Sequence, residues 1–272
     1  MHHERRAVML HSVFERAFHE QMRALAGWAI GIAVYCLLMV SVYPTIRDNT
    51  SITKLVDSYP KAFRQMFAIY DFGSGPGYLR GEIFSLVGPL LVVILAVLWG
   101  SDLIAGEEER GTIDILLANP VSRRRLCLEK WAAMTLGVAG VSAVFAVVLL
   151  AVGPAAELHV GVDPLIAATL ATALLGIMFG TTALAISAGT GRRGLARGVT
   201  AALAVAAYLV SSLSGLVGWL GPVRPASPWY HALGVDPLAN GLSWHPLVLV
   251  ALTLALLVLS VTAFERRDLA VS

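Results

Sequence analysis

The sequence predicts an all-α membrane protein with six transmembrane helices. Composition, six long apolar runs and the placement of basic residues carry that prediction. Of 272 residues, 57% are hydrophobic and 14% charged, where a soluble domain has about 25% charged. The formal net charge of +2 is too small to point to nucleic acid. A helix needs roughly 20 mostly apolar residues to cross about 30 Å of hydrocarbon. Six runs qualify: Gly27–Tyr43, Phe84–Trp99, Trp131–Val152, Leu165–Ala188, Val199–Leu220 and Leu247–Phe264. None contains Asp, Glu, Lys, Arg or His. Inside a bilayer the backbone must satisfy its own polar groups, so these runs read as helices.

An even number of spans places both termini on one side, and basic residues decide which. The N-terminal segment, the 100–130 loop, the 189–198 loop and the C-terminus hold 4, 5, 3 and 2 of the 20 Lys and Arg. The loops at 153–164 and 221–246 hold none and one, Arg224. The remaining five lie in the long loop 44–82. Both termini are therefore expected in the cytoplasm. No cleavable signal peptide is expected, since charges persist to Arg23 and no small-residue cleavage site follows a short apolar core.

Before the first span, Leu10, Val13, Phe14, Ala17, Phe18, Met22 and Leu25 recur at helical spacing opposite Glu15, Arg16, His19, Glu20 and Arg23. This predicts an amphipathic helix over residues 1–26, lying in the membrane interface or packed on protein. Residues 27–272 form the six-span domain. In the outer loop 44–82, Ile52, Leu55, Val56, Tyr59, Phe63, Met66, Phe67 and Tyr70 predict two short surface helices before GSGPG interrupts. The loop 221–246 carries five prolines with Trp229, Tyr230 and Trp244, and Trp219 just before it. That composition predicts short, broken helices and an aromatic belt.

Several patterns lead nowhere. Cys36 and Cys127 make no disulfide framework or zinc spacing. His2, His3 and Glu4 lack a second cluster to complete a metal site. GTGRRG at 189–194 fits G-x-G-x-x-G, but it joins two membrane spans and reads as a tight turn. Gly27 with Gly31, and Gly176 with Gly180, permit close helix packing within the subunit or across a dimer. Ionisable groups inside the bilayer would mark a proton-coupled carrier or intramembrane enzyme, and the spans have none. Their hydroxyls are expected to bond their own backbone. No G-x-x-x-x-G-K-[ST] phosphate loop occurs either. Any energy must then arrive through a partner at a surface.

The largest such surface is Gly106–Lys130, GEEERGTIDILLANPVSRRRLCLEK, where ten charges interrupt apolar sequence. Thr112 to Ala118 place Ile113, Leu116 and Leu117 on one helix face. Glu107, Glu108, Glu109 and Asp114 would give that face an acidic rim. Asn119-Pro120 ends the helix, Ser122 can cap the next one, and Arg123, Arg124 and Arg125 would anchor it at the headgroups. The shape is that of a docking peg, although a solvated loop obeying the positive-inside tendency has the same composition.

The run G-E-E-E-R-G-T-I-D-I-L-L-A-N-P-V-S-R, with Lys130 seven residues after Arg123, resembles the signature of ABC-2 type transporter permeases. It is similar to the group labelled antibiotic or polyketide exporter permeases in actinobacteria. The resemblance is strongest over residues 40–135, including YPTIRDN, SYPKAF and GYLRGEIFSL. It implies a type V exporter-like fold in a bacterial plasma membrane, with six spans, an N-terminal amphipathic helix and a cytoplasmic coupling helix after the second span. It implies that this helix enters a separate ATPase subunit, with two ATPases serving two permeases, identical or not. ATP and magnesium would then be bound by the ATPase and no cofactor by this chain. Residues matching the motif, and so expected to couple the ATPase, are Glu107, Glu109, Gly111, Thr112, Leu116, Leu117, Pro120, Ser122 and Arg123. Ile113 lies on the same face, and Arg110 and Arg125 are adjoining candidates. The expected cargo is a hydrophobic or amphipathic drug, antibiotic or lipid. A membrane anchor for another complex, or a permease serving a maturation pathway, shares most of these features.

Overall fold

A computed structural model describes residues 13–49, 51, 54–55, 58–60, 63–64, 71, 73–111 and 122–267. Six helices among them are long and apolar enough to cross a membrane. They are α1 (Val13–Arg47), α2 (Gly75–Asp102), α3 (Arg123–Val152), α4 (Val162–Thr190), α5 (Arg193–Leu213) and α6 (His245–Arg266). All six expected spans are present, and no strand occurs among the described residues.

α2 and α4 form the centre. About two-thirds of the apolar stretch of each is buried (61% and 67%), against 22–33% for the other four. α4 packs on α2, α6, α3 and α5, while α1 lies along α3. Residues such as Ile30, Leu136, Val147, Leu254 and Val258 point outward and are more than half exposed. A soluble protein would bury such faces, and here they are the surface offered to lipid.

Glycine sets the closeness of the central pair. A methyl group on Gly100 would collide with the Gly180 carbonyl, and one on Gly176 would stand 2.6 Å from Val92 Cγ1. The Gly176/Gly180 pair therefore serves the α2–α4 crossing within the subunit. A methyl group on Gly27 or Gly31 would meet nothing within 4 Å among the described residues, so no close packing there requires these two glycines.

Three expectations change. Residues 13–26 continue into the first span as one 35-residue helix, so the boundary at residue 26 is not a break. At about 1.5 Å per residue this helix is about 52 Å long, more than the roughly 30 Å of hydrocarbon requires. GSGPG begins α2 instead of interrupting structure. Ser74 caps the helix by accepting from Gly77 N at 3.2 Å, and Pro76 sits in its first turn, where a missing N–H costs nothing. Arg80 and Glu82 consequently lie within α2. The helix widens to a π turn at Arg80–Phe84 and kinks at Leu86 (φ −141°, ψ −60°) before resuming at Val87. Tyr78 and Tyr35 sew this irregular end to α1 by donating to Met39 O (2.8 Å) and Glu82 O (2.5 Å).

The connection from α5 to α6 consists of short turns at Gly218–Leu220, Arg224–Ala226, Tyr230–Gly234 and Pro237–Asn240, the broken helices its prolines predict. Trp219 and Trp244 are largely exposed, as belt residues would be. Trp229 departs from the belt reading and is buried against Tyr208. The surface helices expected in loop 44–82 fall mostly outside the described residues. Many hydroxyls bond their own backbone as expected, whereas Thr135, Thr169 and Thr200 Oγ1 are buried without a partner. Ser142, Thr172, Thr181, Thr253 and Ser260 each donate to the carbonyl four residues back at 2.7–2.8 Å.

Candidate functional site

The charged interruption begins with a single helical turn, Ala105–Glu109, folded against the start of α3, the end of α4, the start of α5 and the residue after α6. The Ala105 amide donates to Ser187 Oγ of α4 at 3.1 Å, satisfying one of the backbone donors that a helix start leaves open. Three glutamates follow one another, and each finds a different span.

Glu107 is turned inward. Its Oε1 lies 2.6 Å from Lys130 Nζ of α3, and both residues are only 6% exposed. Lys130 also donates to Leu103 O at 3.0 Å. Burying both charges is costly, and the close pair with its extra acceptor offsets that cost. Glu108 pairs with Arg267, just past α6, whose Nη1 donates to Ala188 O at 3.1 Å and so caps the negative end of α4. Glu109 receives Arg193 Nε at 3.0 Å and the Arg193 backbone N–H at 3.3 Å, placing an anion at the positive N-terminus of α5. Asp102, closing α2, holds Arg193 Nη1 at 3.0 Å and Arg110 Nη1 at 3.1 Å. Arg197 adds a bond to Ser101 Oγ at 3.0 Å.

Of the acidic rim expected around an outward peg, Glu107 and Glu108 are folded inward, Glu109 is exposed while paired with Arg193, and Asp114 lies outside the described residues. Adjacent carboxylates repel one another, and each gains more from a separate cation on a neighbouring helix than from solvent beside its like. Of the three arginines expected at the headgroups, Arg123 is drawn into the bundle. Arg123 Nη1 donates to Arg267 O at 2.7 Å and Phe264 O at 3.2 Å, with its guanidinium over the Phe264 ring, so it ties α3 to the end of α6. Arg125 pairs with Glu129 at 2.6 Å, whose other oxygen accepts from Phe14 N at 3.1 Å. Arg124 is exposed. Ser122 caps α3 as its position predicts, accepting from Arg125 N at 3.2 Å.

The structure thus gathers Glu107 and Glu109 in one ion-pair clasp, with Arg110 at its edge and Arg123 joined to it through the Arg267 carbonyl. Gly111 and Ser122 lie exposed beside it, Gly111 with a positive φ of 66°. Thr112, Ile113, Leu116, Leu117 and Pro120 lie outside the described residues. Sequence reasoning missed Asp102, Lys130, Arg193, Arg197 and Arg267 as members. A cation near the start or end of each adjoining span was the available signal, but it does not say which acid meets which base. Gly191, within GTGRRG, ends α4 in the left-handed conformation (φ +66°), and a methyl there would strike the Glu108–Arg267 pair. The segment is the tight turn its setting predicts. Among the described residues no group of three His, Cys, Asp or Glu is placed to hold a metal.

Six apolar helices crossing a membrane, with charge gathered at one end, define a polytopic membrane protein. The family model described as ABC-2 family transporter protein matches residues 11–269, and the chain belongs to that family. It is a transmembrane component of an ABC transporter. No curated protein matches the sequence.

Proposed function

We propose that this chain is the permease subunit of an ATP-driven exporter, energised by a separate ATPase that docks at the clasp end. The observation that carries the reading is the placing of Gly111 and Ser122 beside the clasp. Between them runs the ten-residue segment 112–121, with the apolar residues Ile113, Leu116 and Leu117. Gly111 follows the clasp turn directly, donating to Glu108 O at 3.0 Å, and Ser122 caps α3. An ATPase that moved this segment would move the helix ends with it. In this reading both termini face the cytoplasm of a bacterial cell. ATP and magnesium are bound by the partner, and two permeases work with two ATPases.

A hydrophobic or amphipathic cargo is supported by a cavity of about 430 Å³ between α2 and α5, lined by Leu90, Val93, Ile94, Val97, Ala204 and Tyr208. Such a wall accommodates apolar groups. The test is purification from native membranes in mild detergent, with and without Leu116→Glu and Leu117→Glu together. The expected result is a stoichiometric soluble protein carrying a phosphate loop, lost from the double variant while the permease still inserts. Recovery of the chain alone under crosslinking and nucleotide would favour a membrane anchor. Unchanged ATPase on the double variant would move the docking site elsewhere.

A further inference from the structure

The groove between α2 and α5 has a direction. Its lining runs from Leu86 to Leu98 on α2 and from Arg197 to Leu209 on α5, each set at the i, i+4, i+7, i+8 spacing of one helix face. Arg197 Nε reaches Ser101 Oγ at 3.0 Å and Arg193 pairs with Asp102, so the start of α5 lies beside the end of α2 and the two helices run antiparallel along the groove. From Arg197 to Leu209 the rise is about 18 Å at 1.5 Å per residue, against roughly 15 Å for half of the hydrocarbon core. Ala201 and Ala204 give the groove its depth, since their short side chains stand in a row otherwise filled by larger ones. Val93, Val97, Ala204 and Tyr208 are buried at its floor, while Ile94, Leu98, Val205 and Leu209 are exposed along its rim. It is therefore open to lipid along its side.

Among the described residues that line it, Arg197 alone carries a charge. Arg197 stands two residues before the apolar run that begins at Val199, at the clasp end. Its Nε donates to the Ser101 hydroxyl, a neutral acceptor. Its Nη1 and Nη2 meet no acceptor among the described residues, and neither is closed off from solvent. Asp102, next to Ser101, is already engaged by Arg193 at 3.0 Å and Arg110 at 3.1 Å. A guanidinium keeps its charge at any physiological pH, and its paired N–H groups match the two oxygens of a carboxylate or phosphate.

We infer that this groove selects an acidic amphiphile as cargo, with its hydrocarbon tail between α2 and α5 and its carboxylate or phosphate on Arg197 Nη1 and Nη2. The inference rests on the exporter reading above and narrows its cargo to anions. An apolar trough alone would take any tail. The cation at one end discriminates among headgroups, because a positive headgroup on the same tail is brought against a like charge. An acidic amphiphile dissolved in the leaflet next to the clasp already lies tail inward with its acid at the interface, so it enters through the rim without turning.

The test uses the full chain in mild detergent with whatever subunits accompany it, titrated with tetradecanoate, octanoate and tetradecyltrimethylammonium and read by native mass spectrometry. Tetradecanoate should bind about tenfold or more tightly than either of the others. Arg197→Gln, which keeps a donor for Ser101 and loses the charge, should weaken tetradecanoate about tenfold and erase its advantage over the ammonium. Ala201→Leu, at an exposed position where the larger side chain fills the trough, should weaken both long-chain probes alike, and it carries the comparison if Arg197→Gln does not elute monodisperse. With the ATPase present, tetradecanoate should raise ATP hydrolysis in the parent and not in Arg197→Gln. Equal binding of the ammonium, or affinities unchanged in the variants, would overturn the inference. A disulfide between two copies bearing Val205→Cys that forms regardless of tetradecanoate would also overturn it and give the groove to a second copy. Anion-selective binding that leaves ATP hydrolysis unchanged would overturn the cargo assignment in favour of a resident lipid. If no ATPase accompanies the chain, the exporter reading fails separately, and the headgroup comparison on the chain alone still supports or overturns the anionic site.

Discussion

Replacing Lys130 by Met removes the cation from the most buried pair of the clasp while keeping a side chain of similar length. Glu107 would keep Arg110 Nη2 at 3.7 Å, but that guanidinium already serves Asp102 at 3.1 Å. The Glu107 carboxylate, on a side chain 8% exposed, would lose its closest cation. Removing one partner of a buried pair costs about 3–5 kcal/mol, and the partners that Glu107 keeps place this case at the lower end, about 3 kcal/mol. For a protein of this size that corresponds to a fall in Tm of about 6 °C or more. The assay is thermal unfolding in mild detergent, followed by the fraction that still elutes monodisperse. Pairing Lys130→Met with Glu107→Leu should recover all but about 1 kcal/mol, because neither charge is then stranded. Two results would refute the reasoning. A fall of under about 1 °C for Lys130→Met would mean the pair is solvated. An unrescued double variant would place the cost in the packing of the lysine stem.

The remaining expectations concern the same bundle. Arg193→Ala removes ion pairs to Asp102 and Glu109 on a side chain 35% exposed, so its cost is about 1 kcal/mol and should shrink in 1 M salt, whereas the cost of Lys130→Met should not. Gly100→Val should abolish monodisperse protein, since even a methyl group there meets the Gly180 carbonyl. Gly31→Ala should leave yield and Tm within about 0.5 kcal/mol of the parent, having nothing to strike. Equal yields of these two glycine variants would show that the α2–α4 crossing is looser than described.

The six spans were legible because lipid imposes a rule that each segment must obey by itself. Their ends were less so. Reading Arg80 and Glu82 as the end of the apolar stretch shortened α2, because the guanidinium's partner, Asp236, is 156 residues away. Gly73–Gly77 looks like a breaker until Ser74 is seen to cap and Pro76 to occupy a first turn that tolerates it. The periodicity of residues 7–25 fixed their helicity but not the angle to the next segment. Continuity through Gly27 is a fact of packing on α3. Within the clasp, the glutamate run stood out as chemistry, and Ser122 as a cap is a local property. Which cation each glutamate meets depends on how α3, α5 and α6 converge, and no spacing within 106–130 encodes that. Trp229 was misplaced for the same reason. An aromatic near a membrane boundary reads as belt, and only the approach of Tyr208 buries it.

Mechanically, the turn Ala105–Glu109 is a junction and not a link. A push delivered at Gly111 arrives at α3 through Lys130, at α5 through Arg193 and beyond α6 through Arg267, all by direct ion pairs. A hinge at one point would let a single helix swing while its neighbours stayed. Here three struts leave adjacent residues in different directions, so the helix ends travel together or one of the pairs must break first. The stiffness of the bundle at this end is therefore set by its weakest strut, the partly exposed Arg193.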